Sequence, residues 1–99
     1  MADLLLIDDE ASIRHAFQKA FRDADLRVRT ATTAAEGLKE FTTTRPDVVL
    51  LDFHLPDSKG LTLFEDLKRI DSRVPVILIT GHGTSELAIE AMKLGVFEY

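Results

Sequence analysis

With 99 residues, 45% of them apolar and 29% charged, the chain has the size and composition of one small globular domain rather than a disordered segment. Its net charge of −5 disfavours direct binding of nucleic acid or an anionic membrane surface. The absence of cysteine excludes disulfides, thiolate chemistry and cysteine-based zinc sites, and no apolar stretch approaches the ~20 residues of a membrane span.

The first half of the chain predicts two strands, each followed by a helix. Leu4 to Ile7 is a continuous apolar run, typical of a strand buried on both faces of a parallel sheet. Ser12 is the expected N-cap of the first helix, whose apolar side chains recur at helical spacing: Ile13, Ala16, Phe17, Ala20 and Phe21. Alternation over Leu26 to Ala31 predicts an edge strand. Thr33 to Glu36 is a capping-box pattern that opens a second helix, which stops before Pro46.

The second half repeats the same alternation. Val48 to Leu51 is another four-residue apolar run, and it predicts a third strand. A third helix is expected from about Leu61 to Ile70, with an inner stripe of Leu63, Phe64, Leu67 and Ile70. Val74 to Thr80 predicts a fourth strand, and a fourth helical pattern precedes Val96 to Tyr99, which begins another strand. Strands alternating with helices predict a doubly wound α/β sheet.

Three of the predicted strands end on groups that can do chemistry: Asp8 and Asp9 on the first, Asp52 on the third and Thr80 on the fourth. Each has an ordinary alternative. Asp8 and Asp9 can cap the first helix, Asp52 can cap the loop that follows it, and Thr80 can be a plain residue at the end of a strand. In a parallel sheet, however, these ends share one edge. Carboxylates ~4 Å apart repel by ~4 kcal/mol per pair at an effective dielectric of about 20, so the cluster needs a shared proton or a cation.

The donor types in this cluster narrow the chemistry. Oxygen ligands without histidine or cysteine select hard cations, and Mg²⁺ is the usual choice inside cells. A bound Mg²⁺ leaves room for a phosphoryl oxygen, and the hydroxyl of Thr80 can donate to another. The pattern therefore predicts phosphoryl transfer to a carboxylate.

Three separated motifs agree in order and spacing with one known family. They are Leu6-Ile7-Asp8-Asp9-Glu10, Asp47 to Gly60, and Val76 to Gly81. They resemble the receiver domain of bacterial two-component response regulators, and the resemblance covers essentially the whole chain. It implies one receiver domain over residues 1–99 with no second domain, and a flavodoxin-like (βα)5 fold with parallel sheet order 2-1-3-4-5. Gly81 to Tyr99 is similar to receivers of nitrogen-regulation-type activators, which usually precede a AAA+ ATPase and a DNA-binding helix-turn-helix.

The resemblance also assigns roles to the acidic residues. It implies that Asp52 is the phosphoacceptor and also a metal ligand. Asp9 would bind Mg²⁺ directly, Asp8 would act through water, and the backbone carbonyl of His54 would complete the protein ligands.

Four further assignments concern the response to phosphate. By the same resemblance, Thr80 would be the phosphoryl-sensing switch hydroxyl, and Tyr99 falls at the position of the family's switch aromatic. Plain packing is the alternative for Tyr99. The resemblance also implies that His54 and His82 would flank the approach to the phosphoryl group and tune its lifetime, whereas solvent-facing histidines are the alternative.

The family's phosphate-binding lysine has no counterpart in this sequence. It lies three residues beyond the switch aromatic, and neither Lys59 nor Lys93 matches that position. The resemblance therefore implies a C-terminally truncated receiver that lacks most of the fifth strand and all of the fifth helix. We expect the fourth strand to be an exposed edge and Phe17 and Phe21 to be partly uncovered. We further expect the 99-residue chain to be marginally stable alone, so that it self-associates as a homodimer or by swapping elements, or else to be a fragment of a longer chain.

The implied function is a cytoplasmic signalling switch. A sensor histidine kinase would donate a phosphoryl group to Asp52 with Mg²⁺, and an attached or partner output domain, expected to be transcriptional, would read the change. The domain would catalyse only its own slow phosphorylation and dephosphorylation and would not be a conventional enzyme. The alternatives are a stand-alone phosphorelay carrier, an inactive truncated receiver, and an aspartate-nucleophile phosphatase. The last needs Asp-x-Asp, whereas Asp52 is followed by Phe53-His54.

Overall fold

The computed structural model describes residues 2–22, 25–52, 55–57, 60–79 and 97–98. Within these ranges the elements follow the predicted alternation of strands and helices. They are β1 (Ala2–Ile7), α1 (Ala11–Ala20), β2 (Leu26–Ala31), α2 (Ala34–Thr43), β3 (Val48–Asp52), α3 (Gly60–Ile70), β4 (Val76–Ile79) and β5 (Phe97–Glu98). In the described part of the chain, no helix is long and apolar enough to cross a membrane.

The strands form one parallel sheet in the order β2-β1-β3-β4-β5, which confirms the expected fold. The register decides what lies at the carboxyl edge. Ile7, the last residue of β1, pairs with Leu51 in β3, and Asp52 pairs with Ile79, the last residue of β4. Asp8 therefore leaves the sheet beside Asp52, and β4 ends next to them.

The core lies on both faces of the sheet because successive side chains of a strand point to opposite sides. On one face, β1, β3 and β4 pack against α2 and α3, and the fully buried members include Leu5, Ile7, Phe41, Leu51 and Leu67. On the other face, a smaller cluster of Leu4, Leu6 and Leu50 packs with the half-buried Phe17 of α1. This two-sided burial of β1 and β3 is what their continuous apolar runs predict.

Helix α1 departs from prediction in its cap, and its apolar face lies largely at the surface. The helix begins at Ala11, and its N-cap is Glu10, so the assignment of Ser12 is wrong. No residue of the helix is fully buried, and Ala16 and Ala20 are exposed. The cause is that only Phe17 reaches the small cluster, so most of the predicted apolar face remains at the surface.

Helices α2 and α3 agree more closely with prediction. The Thr33 side chain accepts a hydrogen bond from Glu36 N at 3.1 Å, as a capping box requires, but the Glu36 carboxylate accepts from Thr32 Oγ1 instead of reaching back to the cap. In α3 the expected inner stripe is buried as far as Leu67. Ile70 is 37% exposed, so its placement in the stripe is wrong, because α3 ends at this residue, one turn beyond the last buried position.

The edge of the sheet beyond β4 also differs from expectation. Ile77 pairs with Phe97, and Leu78 pairs with Glu98, so the expectation of an exposed fourth strand is wrong for these two positions.

The predicted fourth helix lies outside the described residues. The expected self-association stays a prediction. Sizing chromatography checks it, and a cooperatively folded monomer would contradict it.

The expected exposure on α1 is confirmed. Phe17 and Phe21 are half-buried and stack with ring centroids 6.2 Å apart. Together with Ala16 and Ala20 they line an open surface groove of about 270 Å³.

Candidate metal centre

Three carboxylates converge at the carboxyl edge of the sheet, as the sequence predicts. Asp8, Asp9 and Asp52 each offer one oxygen, and these oxygens all lie within 4.8 Å of one another. The convergence follows from β1 and β3 being neighbours in register. Asp8 is buried, Asp52 is half-buried and Asp9 is exposed. The cluster is therefore shielded from solvent at Asp8 and open to solvent at Asp9.

Asp8 is the most constrained member of the cluster, with 3% of its surface exposed. Its Oδ1 accepts a hydrogen bond from Glu10 N at 2.8 Å. Burial raises the pKa of Asp8 above its ordinary value. The hydrogen bond from Glu10 opposes this shift, while the charges of Glu10 and Asp9 add to it. The charged form of Asp8 is therefore costly in the absence of a cation.

The backbone on either side of Asp8 is also held in place. Its amide donates to Ala31 O at 3.0 Å, which continues the pairing of β1 with β2 past the strand end. Its carbonyl accepts from Arg14 Nη1 at 2.9 Å, and the Arg14 charge partly offsets the rise in the pKa of Asp8. Sequence reasoning missed Arg14. The signal in the sequence was a basic residue four positions after Glu10, the last residue of the acidic run that follows β1.

The donor set fits a hard divalent cation. All three groups are carboxylate oxygens, which Mg²⁺ prefers. Two unit charges 4.8 Å apart repel by roughly 3.5 kcal/mol at an effective dielectric of about 20, and a cation reverses the sign of this interaction. Asp9, Asp52 and, through water, Asp8 would hold the ion.

The loop after β3 is fastened to a different part of the fold. Asp57 accepts hydrogen bonds from two first-turn amides of α2, with 2.8 Å from Ala34 N to Oδ1 and 3.1 Å from Ala35 N to Oδ2. These bonds lower the pKa of Asp57 below its ordinary value. Leu55 is buried in the larger core cluster. Sequence reasoning missed Asp57, although aspartate after proline in a loop is a typical capping residue.

Several residues assigned from the sequence lie outside the described part of the structure. Their proposed roles therefore stay predictions. They are His54, Thr80, His82 and Tyr99. Lys59 and Lys93, which do not match the position of the family's lysine, also lie outside the described residues.

The family follows from a comparison of the sequence with known families. Residues 4–99 match the response regulator receiver domain. The chain belongs to this family. The match spans β1 to the end of the chain, so all three carboxylates of the cluster lie within the receiver.

Similar proteins place the receiver among regulators of the predicted type. Nitrogen assimilation regulatory protein NtrX of Azorhizobium caulinodans is 36% identical over 99 residues, which are 98% of this chain and 22% of that protein. DNA-binding transcriptional regulator NtrC of Klebsiella pneumoniae is 35% identical over 94 residues, which are 95% of this chain and 20% of that protein. The receiver thus spans about a fifth of the length of these curated relatives.

A solved structure supports the fold independently. A response regulator receiver domain protein from Clostridium thermocellum superimposes with a TM-score of 0.90 at 38% identity. The alignment covers 100% of this chain and 80% of that one. The expected receiver fold and the nitrogen-regulation-type relationship are both confirmed.

Proposed function

We propose that this receiver is a phosphorylation-dependent switch in which Asp52 accepts a phosphoryl group from a sensor histidine kinase. The observation that carries the proposal is the convergence of the Asp8, Asp9 and Asp52 carboxylates within 4.8 Å at the carboxyl edge of the sheet. Asp52 is the half-buried member, so its carboxylate is held by the strand end and remains within reach of a donor.

In the proposed reaction a carboxylate oxygen of Asp52 attacks the phosphorus of a phosphohistidine. The new O–P bond forms as the P–N bond breaks, and the electron pair returns to the imidazole of the donor. When bound, Mg²⁺ supplies positive charge that offsets the carboxylates and the phosphoryl oxygens. Asp9 and Asp8 hold that charge beside Asp52, and Arg14 fixes the turn by binding the Asp8 carbonyl.

The product is an acyl phosphate whose phosphoryl group carries about −1.5 to −2 units of charge, in place of the single negative charge of the Asp52 carboxylate. Thr80 is proposed to donate its hydroxyl to a phosphoryl oxygen, and Tyr99 to respond to that movement. Hydrolysis by water resets the switch, with His54 and His82 as candidates for setting its rate. Asp52 is thus a reactant, and the domain is not a conventional enzyme.

The output is proposed from the relatives. NtrX is described as a nitrogen assimilation regulatory protein and NtrC as a DNA-binding transcriptional regulator. We infer a cytoplasmic receiver whose output is transcriptional, through a AAA+ ATPase and a DNA-binding domain in a longer chain. The charge of −5 fits a receiver that does not itself bind nucleic acid.

The test is phosphorylation by acetyl phosphate with Mg²⁺, followed by intact-mass measurement. We expect a mass gain of one phosphoryl group that Asp52→Asn abolishes. Asp47→Asn is the matched control, because Asp47 precedes the amino end of the same strand and binds Asp3 N there, at 2.7 Å. A gain that persists in Asp52→Asn, or that is absent from the parent chain, contradicts the proposal. Steady turnover of small phosphate esters would instead indicate a phosphatase.

A further inference from the structure

The start of α2 is capped partly by a residue that does not belong to it. The first-turn amide of Glu36 is bound by the local N-cap, Thr33, at 3.1 Å. The amides of Ala34 and Ala35 are bound instead by the two carboxylate oxygens of Asp57, which lies 23 and 22 residues further along the chain. The contact between Asp57 and α2 joins the loop that follows β2 to the loop that follows β3, at the carboxyl edge of the sheet.

The position of Asp57 in the chain gives the contact a second consequence. Only two residues separate Asp52, the end of β3, from the buried Leu55. Pro56 then restricts the backbone between Leu55 and Asp57, because its ring fixes φ. Leu55 in the core and Asp57 on α2 are thus two anchors close behind the phosphoacceptor. Fixing a chain close to a ligand reduces the number of conformations that must be ordered when an ion binds.

We propose that Asp57 is a positioning residue of the metal centre: by fastening the loop behind Asp52 to the first turn of α2, it raises the affinity of the site for Mg²⁺. This inference rests on the proposed function. Asp57 is not one of the three clustered carboxylates, and it acts by reducing the number of loop conformations from which the ion must select. Groups that support a metal ligand from behind commonly change affinity in this way.

Helix capping alone is a competing explanation, and Thr33 separates the two. Thr33 and Asp57 bind neighbouring amides in the same turn of α2. Only Asp57 connects that turn to the loop after β3. Thr33→Ala therefore removes a cap without releasing the loop, whereas Asp57→Ala removes a cap and releases it.

The charge of Asp57 is a second competing explanation, because any nearby anion attracts Mg²⁺. Asp57→Asn and Asp57→Ala remove the same charge. The asparagine side chain keeps one acceptor oxygen for Ala34 N or Ala35 N, and the alanine keeps none. A difference between these two variants therefore reports the contact and not the charge.

The experiment is a titration of the chain and the three variants with Mg²⁺ alone, followed through backbone amide NMR signals near Asp9 and Asp52. We expect Asp57→Ala to bind Mg²⁺ about tenfold more weakly than the parent, at the lower end of the range for residues that support metal ligands. Asp57→Asn should fall between them, and Thr33→Ala should bind like the parent. Far-UV circular dichroism checks that each variant is folded. If Asp57→Ala does not fold, Asp57→Glu replaces it, because glutamate keeps the charge but not the side-chain length that reaches Ala34 N and Ala35 N. A weaker Mg²⁺ affinity of Asp57→Glu than of Thr33→Ala then supports the inference, and an affinity equal to that of the parent contradicts it.

Four results would overturn the inference. Equal Mg²⁺ affinity of the parent and Asp57→Ala refutes it while leaving the proposed function intact. Equal losses in Asp57→Ala and Thr33→Ala show that only helix capping matters, and equal losses in Asp57→Ala and Asp57→Asn show that only charge matters. A parent chain that binds no Mg²⁺ refutes the proposed function, and the inference with it.

Discussion

Replacing Asp8 by asparagine should stabilise the metal-free protein and remove its response to Mg²⁺. Asp8 is 3% exposed, and its pKa is raised because burial disfavours the charged form. The substitution keeps the shape of the side chain and an acceptor for Glu10 N. It removes a buried charge that faces the carboxylates of Asp9 and Asp52 within 4.8 Å.

The magnitude follows from the geometry of the cluster. At 4.8 Å, the upper limit of the separations between the three oxygens, two unit charges repel by roughly 3.5 kcal/mol at an effective dielectric of about 20. Solvent reduces this value substantially, because Asp9 is exposed and Asp52 half-exposed. Asp8→Asn also loses the attraction to Arg14 and part of the strength of a charge-assisted hydrogen bond. We expect a net gain of about 1–2 kcal/mol in the free energy of unfolding. For a domain of this size, each kcal/mol raises Tm by about 4–8 °C.

The assay is urea unfolding at neutral pH in EDTA and again in saturating Mg²⁺. The parent should gain stability from Mg²⁺ by mass action, while Asp8→Asn should gain much less, so the advantage of the variant shrinks or reverses. Lowering the pH gives a second check. A raised pKa means that the folded state favours protonated Asp8, so the parent loses stability as the pH rises through that pKa. The advantage of the variant should therefore disappear in acid.

Two outcomes would refute this reasoning. One is an Asp8→Asn variant that is less stable than the parent in EDTA, since the buried charge would then not be the dominant cost. The other is an unchanged stabilisation by Mg²⁺, which would place the ion elsewhere. Asp9→Asn is the matched control, and it should stabilise the metal-free protein less because Asp9 is exposed.

Three further predictions concern the frame around the site. Gly37→Ala should lower the free energy of unfolding by about 1–3 kcal/mol, because the new Cβ would lie 2.6 Å from Cδ1 of the fully buried Ile7. Arg29→Ala should lower it by roughly 3 kcal/mol, because it leaves the mostly buried Asp3 without its 2.8 Å partner. Both are measured by urea unfolding. Asp57 should stabilise the fold above pH 3.8, its ordinary pKa, and lose this effect as the pH falls through its lowered pKa. Comparison of the unfolding of the parent and Asp57→Asn against pH measures it.

Each of these predictions has a control or a contradicting result. Ile7→Val removes the Cδ1 atom and should recover part of the loss caused by Gly37→Ala, whereas additive losses would contradict the clash. Arg29→Lys keeps the charge but not the forked geometry, and an Arg29→Lys variant as stable as the parent would show that geometry is unimportant. For Asp57, a difference from Asp57→Asn that grows toward acid would reverse the predicted sign.

Local sequence patterns account for much of the fold and for the core of the site. The apolar runs at Leu4 to Ile7 and Val48 to Leu51 were enough to predict strands buried on both faces. The carboxyl ends of parallel strands lie at one edge, so Asp8, Asp9 and Asp52 could be placed together without coordinates. Two predictions from local patterns were wrong: Ser12 is not the N-cap of α1, and Ile70 is not part of the buried stripe of α3. A local pattern does not show where tertiary packing begins and ends.

Tertiary structure decided which member of the cluster is buried and what holds the surrounding loops. The burial of Asp8 and the rise in its pKa depend on elements packed around the strand end, which periodicity along one strand does not contain. The link from Asp57 to Ala34 joins residues 23 positions apart, and only the folded sheet brings them within 2.8 Å. The sequence by itself determined which carboxylates meet at the edge of the sheet. Packing determined the electrostatic cost of holding them together, because that cost depends on distances between segments far apart in the chain.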